Sequence, residues 1–386
     1  MLTPTQAATL AQQVYDAKNS ISVSEAFLQA GLSGVSIASS QLISGRTGGN
    51  LIKKKRIFAM SGSFTKSNRK HLVVVFRGTI VELRHLHDLL TNANTGMTVG
   101  STTSRVHAGF HQVFESLKED LTRIMGSTSD HPYVHFIGHS LGGAVATLAA
   151  DWVKATHSIR HVKLYTFGAP RPGVELFAKR LTQRLSHFDQ YRLFHQTDPV
   201  PTVPIFPFVH APMPGHGYEV PSRHLPLFKA HSITNYQRSV EGKGWHALNV
   251  SPPTMTRPDM IKHWLRSTKQ WNLVDAISAK WLERALAWTI SQGVNKGITK
   301  VNTFLFDGST VIDTLARVCR DGIKTEHLRD EKDMWFTLLV KRIAGAVGVR
   351  IKEELKDITL KTVRYVLGVM MQRLGEIVRK SVEQMF

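Results

Sequence analysis

Tyr133-Val134-His135-Phe136-Ile137-Gly138-His139-Ser140-Leu141-Gly142-Gly143-Ala144-Val145-Ala146-Thr147-Leu148 is the stretch from which the fold of this chain can be read. An apolar run of strand length meets a serine flanked by glycines two residues away on each side, and an alanine-rich segment follows. Leu141, Val145, Leu148, Trp152 and Val153 recur at helical spacing, so the pattern predicts strand, tight turn, helix. Glycines at these two places leave room where strand and helix nearly collide, and the serine hydroxyl is pushed out at the bend. Gly-x-Ser-x-Gly alone is weak, since roughly one chain of this length in ten carries it by chance at average Gly and Ser usage. Its setting between a strand and a helix gives it meaning.

Upstream, the buried-strand pattern Leu72-Val73-Val74-Val75-Phe76 breaks into Arg77-Gly78-Thr79. Attack by a serine on an acyl carbon creates a negative oxygen, which needs fixed donors where the charge appears. The backbone N–H of Leu141, at the start of its helix, is one candidate. Thr79, at the end of a neighbouring strand, is the other, although Gly-Thr after a strand is also ordinary turn chemistry.

Seven blocks in order resemble the class 3 lipases, the fungal-type triacylglycerol lipases with their bacterial and plant relatives. They are Val74-Val75-Phe76-Arg77-Gly78-Thr79, Asp88-Leu89-Leu90-Thr91-Asn92, Val106-His107-Ala108-Gly109-Phe110, the serine turn, Phe167-Gly168-Ala169-Pro170-Arg171-Pro172-Gly173, Asp198-Pro199-Val200-Pro201 and His231-Ser232-Ile233-Thr234-Asn235-Tyr236. The resemblance covers about the first two thirds of the chain. It implies a bacterial-type member with an added C-terminal region, an α/β-hydrolase fold, and a serine lipase or phospholipase A that needs no cofactor or metal.

A serine hydroxyl requires a base within hydrogen-bond reach, and the base requires an orienting group. In this architecture they follow in the order serine, acid, histidine. Asp198 comes after the strand-like Tyr191-Arg192-Leu193-Phe194-His195, at the carboxyl end where an open sheet carries its active residues. The chain has nineteen histidines, of which His210, His216, His224, His231, His246, His263 and His327 follow Asp198. Spacing does not choose among these. The resemblance points to His231, with His224 as runner-up, and gives Asp198 as the acid. His85-x-His87-Asp88 is too loose a cluster for a metal.

Between Thr79 and Asp88, Leu83, Leu86 and Leu90 stand at helical spacing. The resemblance implies a lid there, carrying Leu83 and Leu86, with Asp88 supporting the oxyanion residue. An ordinary surface helix with its leucines turned to the core is the competing reading.

The net charge of +20 over 386 residues favours an anionic partner. The basic residues are spread out apart from Lys53-Lys54-Lys55-Arg56, and no nucleic-acid-binding module is recognisable, so no nucleic acid is expected. Beside an ester-hydrolase site, the economical partners are a lipid substrate and an anionic membrane surface. Residues 1–19 carry no Sec-type leader pattern, and Pro4 to Asp16 reads instead as an amphipathic helix with Ala7, Leu10 and Val14 on one face. The single cysteine, Cys319, precludes an internal disulfide. The expectation is synthesis in the cytoplasm. Analogy with contact-delivered bacterial toxins of the family gives a non-Sec route to a target membrane or the periplasm, with an inhibitory or chaperone protein as partner, and an ordinary intracellular lipase fits the same features.

We expect residues 1–257 to form a lipase-like domain, a mostly parallel sheet flanked by helices. Residues 258–386 form a helical C-terminal region, with Leu360, Val363, Leu367, Met370, Leu374 and Ile377 in a heptad-like stripe. Gly293, Gly297 and Gly308 mark expected breaks. Three roles are open for this region: a bundle packed on itself and on the body, a basic membrane-surface element with interfacial tryptophans, or a docking surface for another protein. A hydrolase fold whose chemistry has lapsed, kept as a membrane- or protein-binding module, is the alternative to the enzyme.

Overall fold

The computed structural model describes residues 1–34, 40–47, 54–78, 96–126, 133–214, 217–226, 228–248, 250–251, 257–295 and 310–385. The chain begins with helices α1 (Pro4–Gln13) and α2 (Ser20–Gln29), then strands β1 (Gln41–Thr47), β2 (Lys54–Lys66), β3 (Arg69–Phe76), β4 (Met97–Val99) and β5 (Arg105–His107). Helix α3 (Ala108–Gly126), β6 (Tyr133–His139), α4 (Leu141–Thr156), β7 (His161–Phe167), β8 (Gly173–Val174), α5 (Glu175–Leu185) and β9 (Gln190–His195) follow. Next are β10 (Phe208–Val209), β11 (Gly217–Val220), α6 (Ile233–Val240) and β12 (Val250–Ser251).

The principal sheet has eight strands in the order β1-β2-β3-β6-β7-β9-β11-β12. The five from β3 to β11 run parallel, and the outer pairings are antiparallel. The parallel core explains the unbroken apolar runs, because a parallel strand is covered on both faces. Leu72, Val74 and Phe76 of β3 and Val134 and Phe136 of β6 join one apolar cluster with α3, α4 and α5. Their alternates Val73, Val75 and Ile137 join the opposite cluster with α1, α2 and α6. The N-terminal amphipathic segment is thus core: Ala7, Leu10 and Val14 are wholly buried. Helix α1 starts at a capping box on Thr3 and ends at Gln13, slightly short of the reading to Asp16, with Val14 as its C-cap.

At the β6–α4 junction the backbone is as tight as the glycines imply. A Cβ on Gly138 would run into the Gly142 carbonyl, and one on Gly142 into the Phe76 carbonyl at the end of β3. One on Gly143 would lie 2.6 Å from the Ala169 Cβ. Ser140 between them has φ 57° and ψ −132°, a conformation unusual for a residue with a side chain.

The C-terminal region contains α7 (Pro258–Arg266), α8 (Ala276–Asn295), α9 (Val311–Leu328), α10 (Trp335–Ala346) and α11 (Leu360–Glu383). It has its own apolar core, into which the stripe Val363, Leu367, Met370, Leu374 and Ile377 turns inward. The tryptophans pair within the bundle, Trp264 with Trp271 at 4.9 Å and Trp288 with Trp335 at 5.1 Å between ring centroids. No helix among the described residues is long and apolar enough to cross a membrane. Gly293 does not break a helix: it is buried inside α8. Gly297 and Gly308 lie outside the described residues. The two parts interlock, since Ile205 of the body belongs to the C-terminal core and Val378 and Val382 of α11 belong to the cluster that holds Leu141.

Gly138→Ala is expected to destabilise the protein by about 3 kcal/mol or more, because the obstacle is backbone that cannot swing away. Equilibrium urea unfolding measures it, and an unchanged midpoint with an unchanged slope would contradict the crowding described.

Candidate active site

Three elements distant in sequence converge on the bend. Ser140 tops the β6–α4 turn. Asp198 follows β9 by three residues, and its N–H donates to the His195 carbonyl at 3.2 Å. His231 ends the short 3-10 turn Lys229–His231 that leads into α6. His231 Nε2 lies 2.9 Å from Ser140 Oγ, and His231 Nδ1 lies 2.8 Å from Asp198 Oδ2. Asp198 is acceptor-only when ionised, so Nδ1 carries the proton and Nε2 is left to accept from the serine hydroxyl. All three side chains are wholly buried. This is the geometry in which a histidine takes a serine proton while a carboxylate fixes its tautomer.

Asp198 has further partners. Tyr236 Oη donates to Oδ2 at 2.7 Å and the Val200 N–H donates to Oδ1 at 2.9 Å. Tyr236 Oη in turn accepts from the His195 N–H at 2.9 Å. Burial pushes the Asp198 carboxyl up, but the neighbouring His231 and the donors from His231, Tyr236 and Val200 outweigh it, so the group sits below its ordinary value.

Around the triad lies a second chain of bonds. His139 Nε2 is 2.8 Å from the His231 carbonyl, and its Nδ1 is 2.8 Å from Tyr15 Oη. The Gly78 N–H donates to Tyr15 Oη at 3.1 Å. Burial, and next the nearby His231, depress His139 to about 3, so the ring is neutral and holds one proton. That proton must face the carbonyl, Nδ1 must accept from Tyr15 O–H, and Tyr15 oxygen accepts from Gly78. The result ties the end of β3, the serine turn and the backbone of His231 together.

Leu141 opens α4, where the first-turn amides have no intrahelical acceptor. Thr79, Leu83, Leu86 and Asp88, read as oxyanion donor, lid and support, lie outside the described residues, as do His85 and His87. Among the described residues no cluster of metal-ligand type occurs. His224 is exposed and takes no part in the triad, and His210 is bonded to the Pro201 carbonyl at 2.8 Å. The residues that sequence reading did not assign are Tyr15, His139 and Tyr236. The last two sit inside quoted blocks, whereas nothing in the local sequence of Tyr15 marks it.

Buried neutral histidines have a pH consequence. Desolvation lowers His71 to about 4 and His139 to about 3, and His71 Nδ1 lies 2.9 Å from His135 Nε2, itself held well below its usual value by burial. Between those values and the unfolded value near ~6.5 the unfolded chain binds protons that the folded one does not. Stability is therefore complete above that upper limit and declines as pH falls toward the folded values. We expect the urea midpoint to drop between pH 7 and pH 5, with a shallower drop in His139→Gln. A flat profile in both proteins would refute this.

The family profile described as Lipase (class 3) matches residues 73–208, a span that includes Ser140 and Asp198 and ends before His231. The chain is 34% identical over 153 residues to a secreted mono- and diacylglycerol lipase 1 of Fusarium solani, covering 38% of this chain and 44% of that protein. It is 33% identical over 138 residues to the chloroplastic phospholipase A(1) DAD1 of Arabidopsis thaliana, 31% of each chain. Among solved structures it is similar to the Rhizomucor miehei triacylglyceride lipase, 27% identical, with a TM-score of 0.35 over 42% of this chain and 62% of that one. The chain thus spans less than half the length of these two curated relatives. The match to the class 3 lipase family thus lies in residues 73–208, the stretch that holds the serine turn and the acid.

Proposed function

We propose that this protein is a serine carboxylic ester hydrolase acting on lipid, as a phospholipase A or a glyceride lipase. The observation that carries the reading is the unbroken relay from Ser140 Oγ through His231 to Asp198, with contacts of 2.9 and 2.8 Å. Ser140 Oγ attacks the ester carbonyl while its proton passes to His231 Nε2. The tetrahedral intermediate collapses as that proton moves to the departing alcohol. Water, deprotonated by the same nitrogen, then attacks the acyl-Ser140 ester, and the fatty acid leaves with the serine hydroxyl restored. Asp198 stays ionised throughout and stabilises the imidazolium.

The negative oxygen that forms falls to the Leu141 N–H, at the positive end of α4, with Thr79 as the second donor. Substrate class follows the relatives' chemistry, mono- and diacylglycerol in one case and phospholipid in another. A net charge of +20 supports an anionic, phospholipid-bearing surface as the place of work.

A fluorophosphonate probe should label the native protein and leave Ser140→Ala untouched. Turnover of a soluble ester should fall by on the order of 10⁶ in Ser140→Ala, against about 10²–10³ in Thr79→Val. Product analysis on mixed phosphatidylglycerol and triglyceride vesicles reads out the substrate: fatty acid with lysophospholipid supports phospholipase A, and fatty acid with diglyceride supports a lipase. Neither labelling nor turnover in the native protein would sink the enzymatic reading.

A further inference from the structure

The segment carrying the acid and the turn carrying the base are both held from outside the lipase-like body. Helix α8 presents Lys280 and Glu283, three residues apart and so on one face, Lys280 to the chain that follows β9 and Glu283 to Arg171, which follows β7. Lys280 Nζ donates to the Gln196 carbonyl at 2.5 Å, two residues before Asp198. The ammonium lies 3.9 Å from Glu219 Oε1 of β11 and 5.4 Å from the Phe194 ring centroid of β9. Glu283 Oε2 lies 3.3 Å from Arg171 Nη2. Arg171 donates through its backbone N–H to the Val203 carbonyl at 3.0 Å and through Nη1 to the Pro204 carbonyl at 3.2 Å. Ile205, next along, is buried in the C-terminal core. Residues 196–205 are therefore pinned at both ends by the helical region, with Asp198 between the pins.

On the base side, Phe228 has φ 69° and ψ −7°, the left-handed region that a bulky residue avoids. Such a conformation persists where its surroundings impose it. Its ring packs on the C-terminal core, and Lys380 Nζ of α11 lies 5.8 Å from the ring centroid. The residue after His231 is tied to the end of the chain, with Ser232 Oγ donating to the Met385 carbonyl at 3.5 Å. Both contacts bracket the 3-10 turn that ends at His231.

We propose that the C-terminal helical bundle is a clamp that positions the acid and the base against Ser140, with Lys280 as the positioning residue on the acid side and Phe228, seated on the bundle, on the base side. The inference rests on the hydrolase reading above. It gives the helical region a role in the reaction without contact with substrate. It also explains why bundle and body share apolar clusters across the expected boundary at 257/258.

Burial lowers the Lys280 ammonium to about 8, against the opposing pull of Glu219; Arg284 of its own helix and Arg192 of β9 lower it further, and Asp198 raises it. The charged form, and with it the full clamp, is present below that value and lost above it.

The test is steady-state hydrolysis of p-nitrophenyl butyrate by the full chain and its Lys280→Met, Lys280→Arg and Phe228→Gly variants, with fluorophosphonate labelling of Ser140 alongside. Lys280→Met keeps the apolar stem over Phe194 and removes the charge, and should lower kcat about 10- to 100-fold with KM unchanged. Lys280→Arg should recover most of kcat and should hold it above pH 8, where the wild type declines, because guanidinium stays charged. Phe228→Gly relieves the backbone and removes the ring, and should also lower kcat. Wild-type kcat in Lys280→Met, or a rise in activity that marks the bundle as a cover, overturns the clamp. Equal losses in Lys280→Met and Lys280→Arg overturn it as well. An inactive, unlabelled wild-type protein overturns the hydrolase reading itself, a result separate from an active wild type matched by Lys280→Met.

Discussion

A strand and a helix that nearly touch set the terms for the rest of this molecule. Because Gly138 and Gly142 have no side chains, β6, α4 and the end of β3 close to backbone contact, and the one residue at the bend is forced to φ 57°. Nothing in Ser140 itself favours that conformation. It holds because both faces of β6 are filled, with Val134 and Phe136 in one apolar cluster and Ile137 in the other. The strain at the bend is thus held by burial along the strand that leads into it, and its effect is to aim Oγ at the neighbouring loops.

Those loops bring the next constraint, a buried carboxylate. Asp198 is wholly enclosed, where an unpaired charge is strongly destabilising. Four donors address it or its ring partner: His231 and Tyr236 on one oxygen, Val200 N–H on the other, and His195 N–H on the Tyr236 hydroxyl. The same low-polarity surroundings keep His139 neutral, so it acts as a fixed relay of hydrogen bonds from Tyr15 to the His231 backbone. Charge is concentrated on the Asp198 carboxylate, and the supporting ring is denied one. A neutral His139 also avoids placing a second cation beside an imidazolium, with which its ring centroid is only 4.8 Å apart.

The helical third of the chain changes how the body is to be understood. Its own apolar core joins the five described helices, and the inward-facing stripe of α11 accounts for the heptad-like spacing. Lys280 on α8 and Met385 after α11 reach beyond that core to polar groups of the two loops that carry Asp198 and His231, and Glu283 on α8 reaches Arg171, which bonds to the carbonyls of Val203 and Pro204. Loops are the least constrained part of an open α/β sheet, and precision at their tips has to come from contacts outside the strands.

Much of this was legible in the linear chain. Short apolar runs marked β3 and β6, periodicity near three and a half marked α1, α4 and α11, and the glycine spacing around Ser140 announced the bend, because each of these is a local property of backbone and side-chain geometry. Asp198 was legible through its place after β9, and His231 only through resemblance, since seven histidines follow the acid and no spacing rule selects one. Tyr15 and Lys280 carried no local sign. Tyr15 lies 124 residues from His139, and Lys280 lies 84 from Gln196. Local pattern fixed which elements form and where chemistry is presented. Only the packing of α1 on the sheet and of α8 on the turn after β9 decided which polar groups meet there, because hydrogen bonds between distant segments depend on packing that no short stretch of sequence encodes.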